Sequence, residues 1–162
     1  MSISIGDNIP SSTLLRLGSD GPEQVEIMDL AKGRKLVVFA VPGAFTGVCH
    51  NAHLPSFVRN MDSIRDKGVD DVICISVNDP FVMSAWAEIT GAQAAGIKML
   101  SDAESEFTKA MGMDFTGKPA GLIDRSKRYA IIVEDGTVTA LEVEDNPGQC
   151  DVSSGESILE KL

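Results

Sequence analysis

Residues 35–49 read KLVVFAVPGAFTGVC, and this stretch decides the fold. Its first part, Lys35–Val41, is a nearly continuous apolar run, which is typical of a strand covered on both faces of a sheet. A Pro-Gly turn follows, and from Thr46 to Asp66 apolar residues recur at intervals of three and four, which predicts a helix. A buried strand that leads through a turn into a helix is the building unit of α/β folds.

Further strands and helices alternate after this unit. The sequence predicts, in chain order, a strand over Asp71–Val77, a helix over Phe81–Thr90 that starts at Pro80, a short strand over Lys98–Leu100 and a short helix over Glu104–Met111. These segments again favour an α/β fold.

The last part of the chain carries a hairpin signal and a helix signal. Asp135-Gly136 lies within the apolar stretch Tyr129–Val143, and this dipeptide is typical of a tight turn between two strands. Ser153 and Glu156 have the spacing of a capping box, which predicts a final helix running to Leu162. Together with the earlier segments, this order predicts a mixed central sheet flanked by helices on both faces.

Length and composition are those of an ordinary globular protein. The chain has 162 residues, 43% of them hydrophobic and 23% charged, so we expect one domain spanning residues 1–162. The formal net charge of -10 disfavours nucleic acid and anionic membrane surfaces as partners, because both repel a negative surface. The longest apolar runs are far too short for a membrane span. The first residues, MSISIGD, lack the pattern of a signal peptide, so we expect a cytoplasmic location.

The chain has three cysteines, Cys49, Cys74 and Cys150, at irregular spacing. An odd number argues against a framework of structural disulfides and for thiols that are buried, catalytic or redox-active. Cys49 stands where the first buried strand gives way to a helix, which is the usual place for a site in an open sheet. Unpaired N–H groups and the helix dipole at that position favour thiolate over thiol.

Two neighbours of Cys49 strengthen the prediction of a reactive thiol. Thr46 precedes it by three residues, so its hydroxyl can approach the sulfur or an oxygen of a bound substrate. Pro42 lacks an N–H and stiffens the loop, which would help to shield a thiolate from water. The residues alone leave a second interpretation open, in which Cys49 is one more small buried residue at the start of a helix.

The segment Val38–Val58, VFAVPGAFTGVCHNAHLPSFV, resembles the active-site signature of the peroxiredoxin family, Pro-x-x-x-Thr-x-x-Cys. Within that family it is similar to the subgroup of peroxiredoxin 5 and the plant type II enzymes. The stretches Ile75–Trp86, Ser126–Tyr129 and Glu134–Gly136 resemble the same subgroup, so the similarity spans nearly the whole chain. Gly47, Val48 and His50 depart from the usual residues of the signature.

The resemblance implies a thioredoxin-like fold and a thiol peroxidase that reduces hydroperoxides through a cysteine sulfenic acid. Cys49 would be the peroxidatic cysteine, Thr46 would hydrogen-bond the peroxide, and Pro42 would shape and shield the pocket. Arg128 would hold the thiolate and polarise the substrate, a role suited to a fixed and always charged guanidinium. From the residues alone, Arg128 would be interpreted as an exposed charge at a strand edge.

The resemblance also implies the reaction partners. Thioredoxin, glutaredoxin or glutathione would return the sulfenic acid to the thiol, without a metal or organic cofactor. The family often forms dimers, and an apolar edge around the Pro42 loop or the Phe81 helix would serve a homodimer.

The two remaining cysteines lie in different kinds of sequence. Cys74 lies in the middle of a predicted strand and is interpreted as a buried, inert thiol, with a redox role left open. Cys150 lies in a polar segment that we expect to be exposed and mobile, and its position resembles that of the resolving cysteine of peroxiredoxin 5. Asp145 and Asp151 would raise the pKa of Cys150 and make it a slow nucleophile.

Metal binding and two other functions are alternatives to the peroxidase. Cys49 and His53 have helical ligand spacing, but no second cluster completes a zinc site, and His53 is better interpreted as a packing or hydrogen-bonding residue. A thioredoxin-like disulfide oxidoreductase is disfavoured because the chain has no Cys-x-x-Cys motif. A non-catalytic redox-sensing module on the same fold stays open from the sequence alone.

Overall fold

The computed structural model describes all residues, 1–162. Nine strands are present: β1 (Thr13–Gly18), β2 (Gly21–Glu26), β3 (Lys35–Val41), β4 (Asp71–Ser76), β5 (Lys98–Ser101), β6 (Asp114–Gly117), β7 (Leu122–Ser126), β8 (Tyr129–Glu134) and β9 (Thr137–Val143). The six α-helices are α1 (Ile27–Ala31), α2 (Leu54–Asp66), α3 (Pro80–Thr90), α4 (Ala92–Ala95), α5 (Glu106–Ala110) and α6 (Gly155–Leu159). A π-helical turn, Cys49–His53, leads into α2, and a short 3-10 turn, Lys118–Ala120, separates β6 from β7.

Seven of the strands form one mixed sheet in the order β2-β1-β5-β4-β3-β8-β9, and β6 and β7 form a separate antiparallel pair. The strands β3, β4 and β5 are mutually parallel, whereas β8 pairs antiparallel with β3 and with β9. The parallel strands are joined by helices, and the antiparallel pairs β1–β2 and β8–β9 by tight turns, as connection length requires. The predicted mixed sheet with flanking helices is confirmed.

Alternate residues of β3 face opposite cores, which explains why the whole strand is apolar. Val37, Phe39 and Val41 belong to a core with α2, α3, α4 and α6, and Phe39 stacks on Phe57 of α2 with ring centroids 3.9 Å apart. The alternate positions of β3 belong to a core with α1 and α5 on the other face. Because packed side chains cover both faces of β3, this strand is a rigid support for the loop that follows it.

The last helix begins one residue later than the capping-box spacing predicts. Ser154, not Ser153, is the N-cap, and its Oγ accepts a hydrogen bond from the N–H of Ser157 at 3.2 Å. The Ser153 hydroxyl instead donates to Glu144 at 2.8 Å. Gly155 lets α6 approach α2, since a Cβ at this position would lie 2.3 Å from the carbonyl oxygen of Ser56. The predicted helix is therefore present, but the hydroxyl of Ser153 binds Glu144 instead of capping the helix.

None of the helices combines the length and the apolar composition that crossing a bilayer requires.

Candidate active site

The loop after β3 is fixed by two side chains, one from the residues that follow β4 and one from β7. The Oδ1 atom of Asn78, just beyond β4, accepts hydrogen bonds from the N–H of Ala44 at 3.0 Å and from the hydroxyl of Ser76 at 2.6 Å. The guanidinium of Arg125 on β7 donates to the carbonyl of Pro42 at 3.1 Å. Phe45, in the middle of this loop, has a left-handed φ of 63°, which is uncommon for a bulky residue. The surrounding contacts hold the loop in this strained conformation.

Cys49 lies in the first turns of the helix that follows this loop, as predicted. The N–H of His50 donates to the carbonyl of Thr46 at 2.9 Å, and the N–H of Leu54 donates to the carbonyl of Cys49 five residues back. This wider turn places both Cys49 and His53 in the interior. Cys49 is only 1% exposed.

Arg128 lies in the connection between β7 and β8, and its side chain contacts Cys49. It is 2% exposed, and its Nη2 atom donates to the Cys49 Sγ at 3.1 Å. The carbonyl of Pro147 accepts from Nη2 at 2.9 Å and from Nε at 3.2 Å, while Nη1 lies 3.0 Å from His53 Nδ1. The interpretation of Arg128 as an exposed charge is therefore wrong, because the side chain is buried and lies beside Cys49. A guanidinium has five N–H groups, and these contacts occupy four of them.

The geometry assigns the protonation state of His53. Its Nε2 lies 2.9 Å from the carbonyl oxygen of Ser153, which can only accept, so Nε2 carries the proton. Its Nδ1 faces Arg128, which can only donate, so Nδ1 is the acceptor. Burial, and then the charge of Arg128, lower the pKa of His53 to about 3 against the opposing effect of the Ser153 carbonyl. His53 is thus a neutral hydrogen-bonding residue behind the active-site helix, as the sequence predicts.

The buried neutral state of His53 makes the stability of the protein dependent on pH. The pKa is 6.5 when the chain is unfolded and about 3 when it is folded, so the unfolded state binds the extra proton between these values. The stabilising contribution is therefore complete above pH 6.5 and is lost as the pH falls towards 3. We expect this residue to lower the free energy of unfolding by about 1.4 kcal/mol per pH unit in that window. Urea unfolding of wild type and of His53→Gln at pH 7, 6 and 5 checks this: the variant should have the smaller slope, and equal slopes would contradict the assignment.

A surface pocket of about 320 Å³ opens above this arrangement. It is lined by Pro42, Thr46, Gly47, Val48, Leu122, Arg128, Pro147 and Gly148. The Thr46 hydroxyl donates to the carbonyl of Gly43 at 2.7 Å, so its oxygen keeps lone pairs that can accept a proton donor. The structure therefore brings Pro42, Thr46 and Arg128 together in the lining of one pocket, and the hydrogen bond from Arg128 connects this lining to the buried Cys49.

Cys150 lies apart from this pocket, in a depression lined by residues such as Asn51, Ser56 and Arg59. It is half-buried, and burial raises its pKa to about 11; the charge of Arg128 opposes this shift, and those of Glu144 and Glu156 add to it. The predicted direction of the shift is confirmed, but burial rather than Asp145 and Asp151 causes it.

The chain segment that carries Cys150 makes more hydrogen bonds with the rest of the protein than the sequence suggests. It was expected to be exposed and mobile, yet the carbonyl of Pro147 accepts two hydrogen bonds from Arg128. The carboxylate of Glu144 binds the backbone of Asp151 and Ser153. The segment is exposed at its tip and anchored at both ends.

Cys74 matches its predicted environment. It is fully buried in β4, and burial, followed by the nearby Cys49, raises the pKa of the Cys74 thiol well above its usual range. A thiol in this environment is a packing residue with little tendency to ionise.

Several residues that build the site carry no local signal in the sequence. Asn78 and Arg125 hold the loop from positions 34 and 83 residues away from their partners. Pro147 contributes its backbone carbonyl, which accepts from Arg128, and Glu144 contributes a buried carboxylate, which accepts from the N–H of Ser153. Only Asn78 was detectable in principle, because it follows a buried strand parallel to β3, and such strand ends meet at one edge of the sheet.

The chain is similar to known proteins of one family. The family model described as Redoxin matches residues 4–159. Peroxiredoxin-2E-2, chloroplastic, from Oryza sativa subsp. japonica is 44% identical over 164 residues, which cover 99% of this chain and 72% of the relative.

Solved structures give the same result. The crystal structure of reduced Prx3 in complex with H2O2 from Vibrio vulnificus is 42% identical, with a TM-score of 0.91 and 98% of each chain covered. The crystal structure of peroxiredoxin 5 from Alvinella pompejana is 31% identical, with a TM-score of 0.84 and coverage of 98% of this chain and 96% of the other. These similarities extend over the whole chain and include the thioredoxin-like fold. The chain therefore belongs to the peroxiredoxin family and is a thiol-dependent peroxidase.

Proposed function

We propose that Cys49 is the peroxidatic nucleophile and that Arg128, Thr46 and Pro42 form its active site. The observation that carries this proposal is the 3.1 Å contact between Cys49 Sγ and Nη2 of Arg128, a residue that lines the pocket. The substrate is a hydroperoxide, and the thiolate attacks one oxygen of the O–O bond. The S–O bond forms as the O–O bond breaks, so Cys49 becomes a sulfenic acid, and the second oxygen leaves as alkoxide or hydroxide and takes up a proton.

Each proposed active-site residue has a physical role in this step. The guanidinium of Arg128 stabilises the thiolate and the negative charge that moves onto the leaving oxygen. One N–H of Arg128 Nη1 has no partner in the protein, so it can bind a peroxide oxygen. The Thr46 oxygen can accept the O–H of the substrate, because its own proton is directed to Gly43. Pro42, which adds no N–H donor, narrows the pocket and limits access of water.

We further propose that an external thiol, from thioredoxin, glutaredoxin or glutathione, completes the cycle. Its thiolate attacks the sulfenic sulfur, releasing water and forming a mixed disulfide, and a second thiol then releases Cys49 as the thiol. Two observations support an external rather than an internal thiol: Cys150 lines a different depression from the pocket over Cys49, and its pKa is raised to about 11. The role of Cys150 as the resolving cysteine stays a prediction of the resemblance.

The two resolving routes give different products after one equivalent of hydrogen peroxide. We expect mass spectrometry of trapped protein to show one added oxygen on Cys49 and no peptide linking Cys49 to Cys150. We also expect the thiolate fraction of Cys150 to be about 100-fold smaller at neutral pH than that of an ordinary cysteine, because burial raises its pKa from 9.0 to about 11. Alkylation of Cys150 in the Cys49→Ser variant measures this. A rapid Cys49–Cys150 disulfide would overturn the external route and establish Cys150 as the resolving residue.

We also propose that the protein forms a homodimer and functions in the cytoplasm. Large apolar side chains are exposed around the pocket loop and at the start of α3, among them Phe45 and Phe81. Such a group of exposed apolar residues supports an interface between two copies of the chain. The odd number of unpaired cysteines supports a reducing compartment. Sedimentation of wild type and of Phe81→Glu tests the dimer, and cell fractionation tests the location.

A further inference from the structure

We propose that Glu144 is a positioning residue for peroxide reduction, which holds the 144–153 loop so that two of its carbonyls orient the Arg128 guanidinium towards Cys49. The 144–153 loop is the segment from the end of β9 to the N-cap of α6. This inference rests on the proposed roles of Cys49 and Arg128. It adds a residue that touches neither the sulfur nor the pocket.

The Glu144 carboxylate organises the loop from its interior. Its Oε1 accepts three hydrogen bonds: from the N–H of Asp151 at 2.6 Å, from the N–H of Ser153 at 2.9 Å and from the hydroxyl of Ser153 at 2.8 Å. Burial favours the neutral acid, but these hydrogen bonds and the charge of Arg128 outweigh it and hold the pKa of Glu144 below its usual value. The carboxylate is therefore charged at neutral pH and folds the loop back onto itself.

Two carbonyls of the folded loop then reach Arg128. The carbonyl of Pro147 accepts directly from Nη2 and Nε. The carbonyl of Ser153 accepts from His53 Nε2, which fixes the tautomer in which His53 Nδ1 accepts from Arg128 Nη1. Three of the four protein hydrogen bonds of the guanidinium thus depend on the conformation of the 144–153 loop, and the fourth is the one to Cys49.

This arrangement explains how a long flexible side chain is held at a fixed angle to the sulfur. An arginine side chain loses much rotamer entropy when it is fixed, so it needs several acceptors to stay in one orientation. A displacement of about 1 Å at a reacting centre can reduce a rate by about a hundredfold. Loss of the loop conformation is therefore expected to reduce the rate even though Arg128 and Cys49 are unchanged.

The charge of Glu144 and its positioning role have opposite effects on Cys49, which makes the proposal testable. Removing a negative charge near a thiol favours the thiolate, so a pure charge effect would move the pH profile of alkylation to lower pH. Loss of the Arg128 orientation removes a donor from the sulfur and would move the profile to higher pH. The direction of the change therefore separates the two effects.

The experiment compares Glu144→Ala, Glu144→Gln and Asp145→Ala. Asp145 is the adjacent acidic residue and is exposed, so its variant loses the same charge without changing the loop contacts. For Glu144→Ala we expect kcat/KM for hydrogen peroxide to fall about 10- to 100-fold, with Cys49 alkylation moved to higher pH. Glu144→Gln keeps an acceptor oxygen and should lie between wild type and Glu144→Ala. Asp145→Ala should stay within about twofold of wild type, as is usual for surface positions.

A double-variant cycle completes the test. In an Arg128→Met background, Glu144→Ala should cause little further loss, because the group through which Glu144 acts is absent. If Glu144→Ala does not fold, as judged by circular dichroism, Glu144→Gln decides alone. An unchanged rate and pH profile, or a profile moved to lower pH, overturns the positioning role while the losses caused by Cys49→Ser and Arg128→Met would leave the proposed function standing. If those two variants keep full activity, the proposed function itself fails.

Discussion

Cys49→Ser is expected to lower the rate of thiol-dependent peroxide reduction by on the order of 10⁴-fold, down to the level of the reaction without enzyme. A serine hydroxyl is not ionised at neutral pH and does not form a sulfenic acid, so the first chemical step has no nucleophile. Arg128 and Thr46 would still line the pocket in this variant, and substrate binding alone does not break the O–O bond. Consumption of hydrogen peroxide with a thiol reductant in excess measures this loss directly.

Two matched controls accompany this variant. Cys74→Ser and Cys150→Ser change the same atom at the other cysteines, and Cys150→Ser should keep most of the activity if an external thiol resolves the sulfenic acid. Cys74→Ser introduces a hydroxyl into a fully buried position, so its folding must be checked first. More than a tenth of wild-type activity in folded Cys49→Ser would contradict the assignment of the nucleophile.

Arg128→Met is expected to reduce kcat/KM for peroxide by about 10²- to 10³-fold, as the loss of a fixed donor at a site of developing charge does in other enzymes. The methionine is similar in length and apolar, so it fills the buried volume while it removes all the donors. Without the guanidinium, the sulfur loses the hydrogen bond that Nη2 supplies at 3.1 Å, and the leaving oxygen loses its positive partner.

Arg128→Lys separates charge from geometry. It restores the charge but not the planar arrangement that contacts Cys49, His53 and Pro147 together, so only part of the rate should return. If the lysine variant were as active as wild type, orientation would be unimportant and the network around the guanidinium would have no role in the reaction.

The sequence predicts those parts of the fold that rest on local patterns. The apolar run of β3, the helical spacing towards Asp66 and the Asp135-Gly136 turn all gave the correct elements, because each reflects a periodicity or a turn within a few residues. The β1–β2 hairpin was not predicted. Its strands lie at one edge of the sheet and are largely exposed, so they lack the apolar run that marks a buried strand.

The sequence predicted the reactive cysteine and its near neighbours, but not the distant residues that hold them in place. Cys49 and Thr46 share one turn of chain, so their proximity follows from the sequence. Arg128 bonds to Cys49 across 79 residues, and its burial follows from no local pattern because it adjoins the exposed Lys127. Only the resemblance to a family placed it correctly. Neither the local sequence pattern nor the resemblance predicted the loop contacts of Glu144, since a carboxylate after a strand is ordinarily solvent-exposed.

The rate of Cys49 alkylation at pH 7, with and without Arg128→Met, is the most direct test of the claim that the guanidinium activates this sulfur. The parent for both proteins carries serine at Cys74 and Cys150, so that iodoacetamide reports on Cys49 alone. We predict that Arg128→Met is alkylated about tenfold or more slowly than this parent, because the sulfur loses the hydrogen bond that Nη2 supplies at 3.1 Å. Equal rates in two folded proteins would contradict the account.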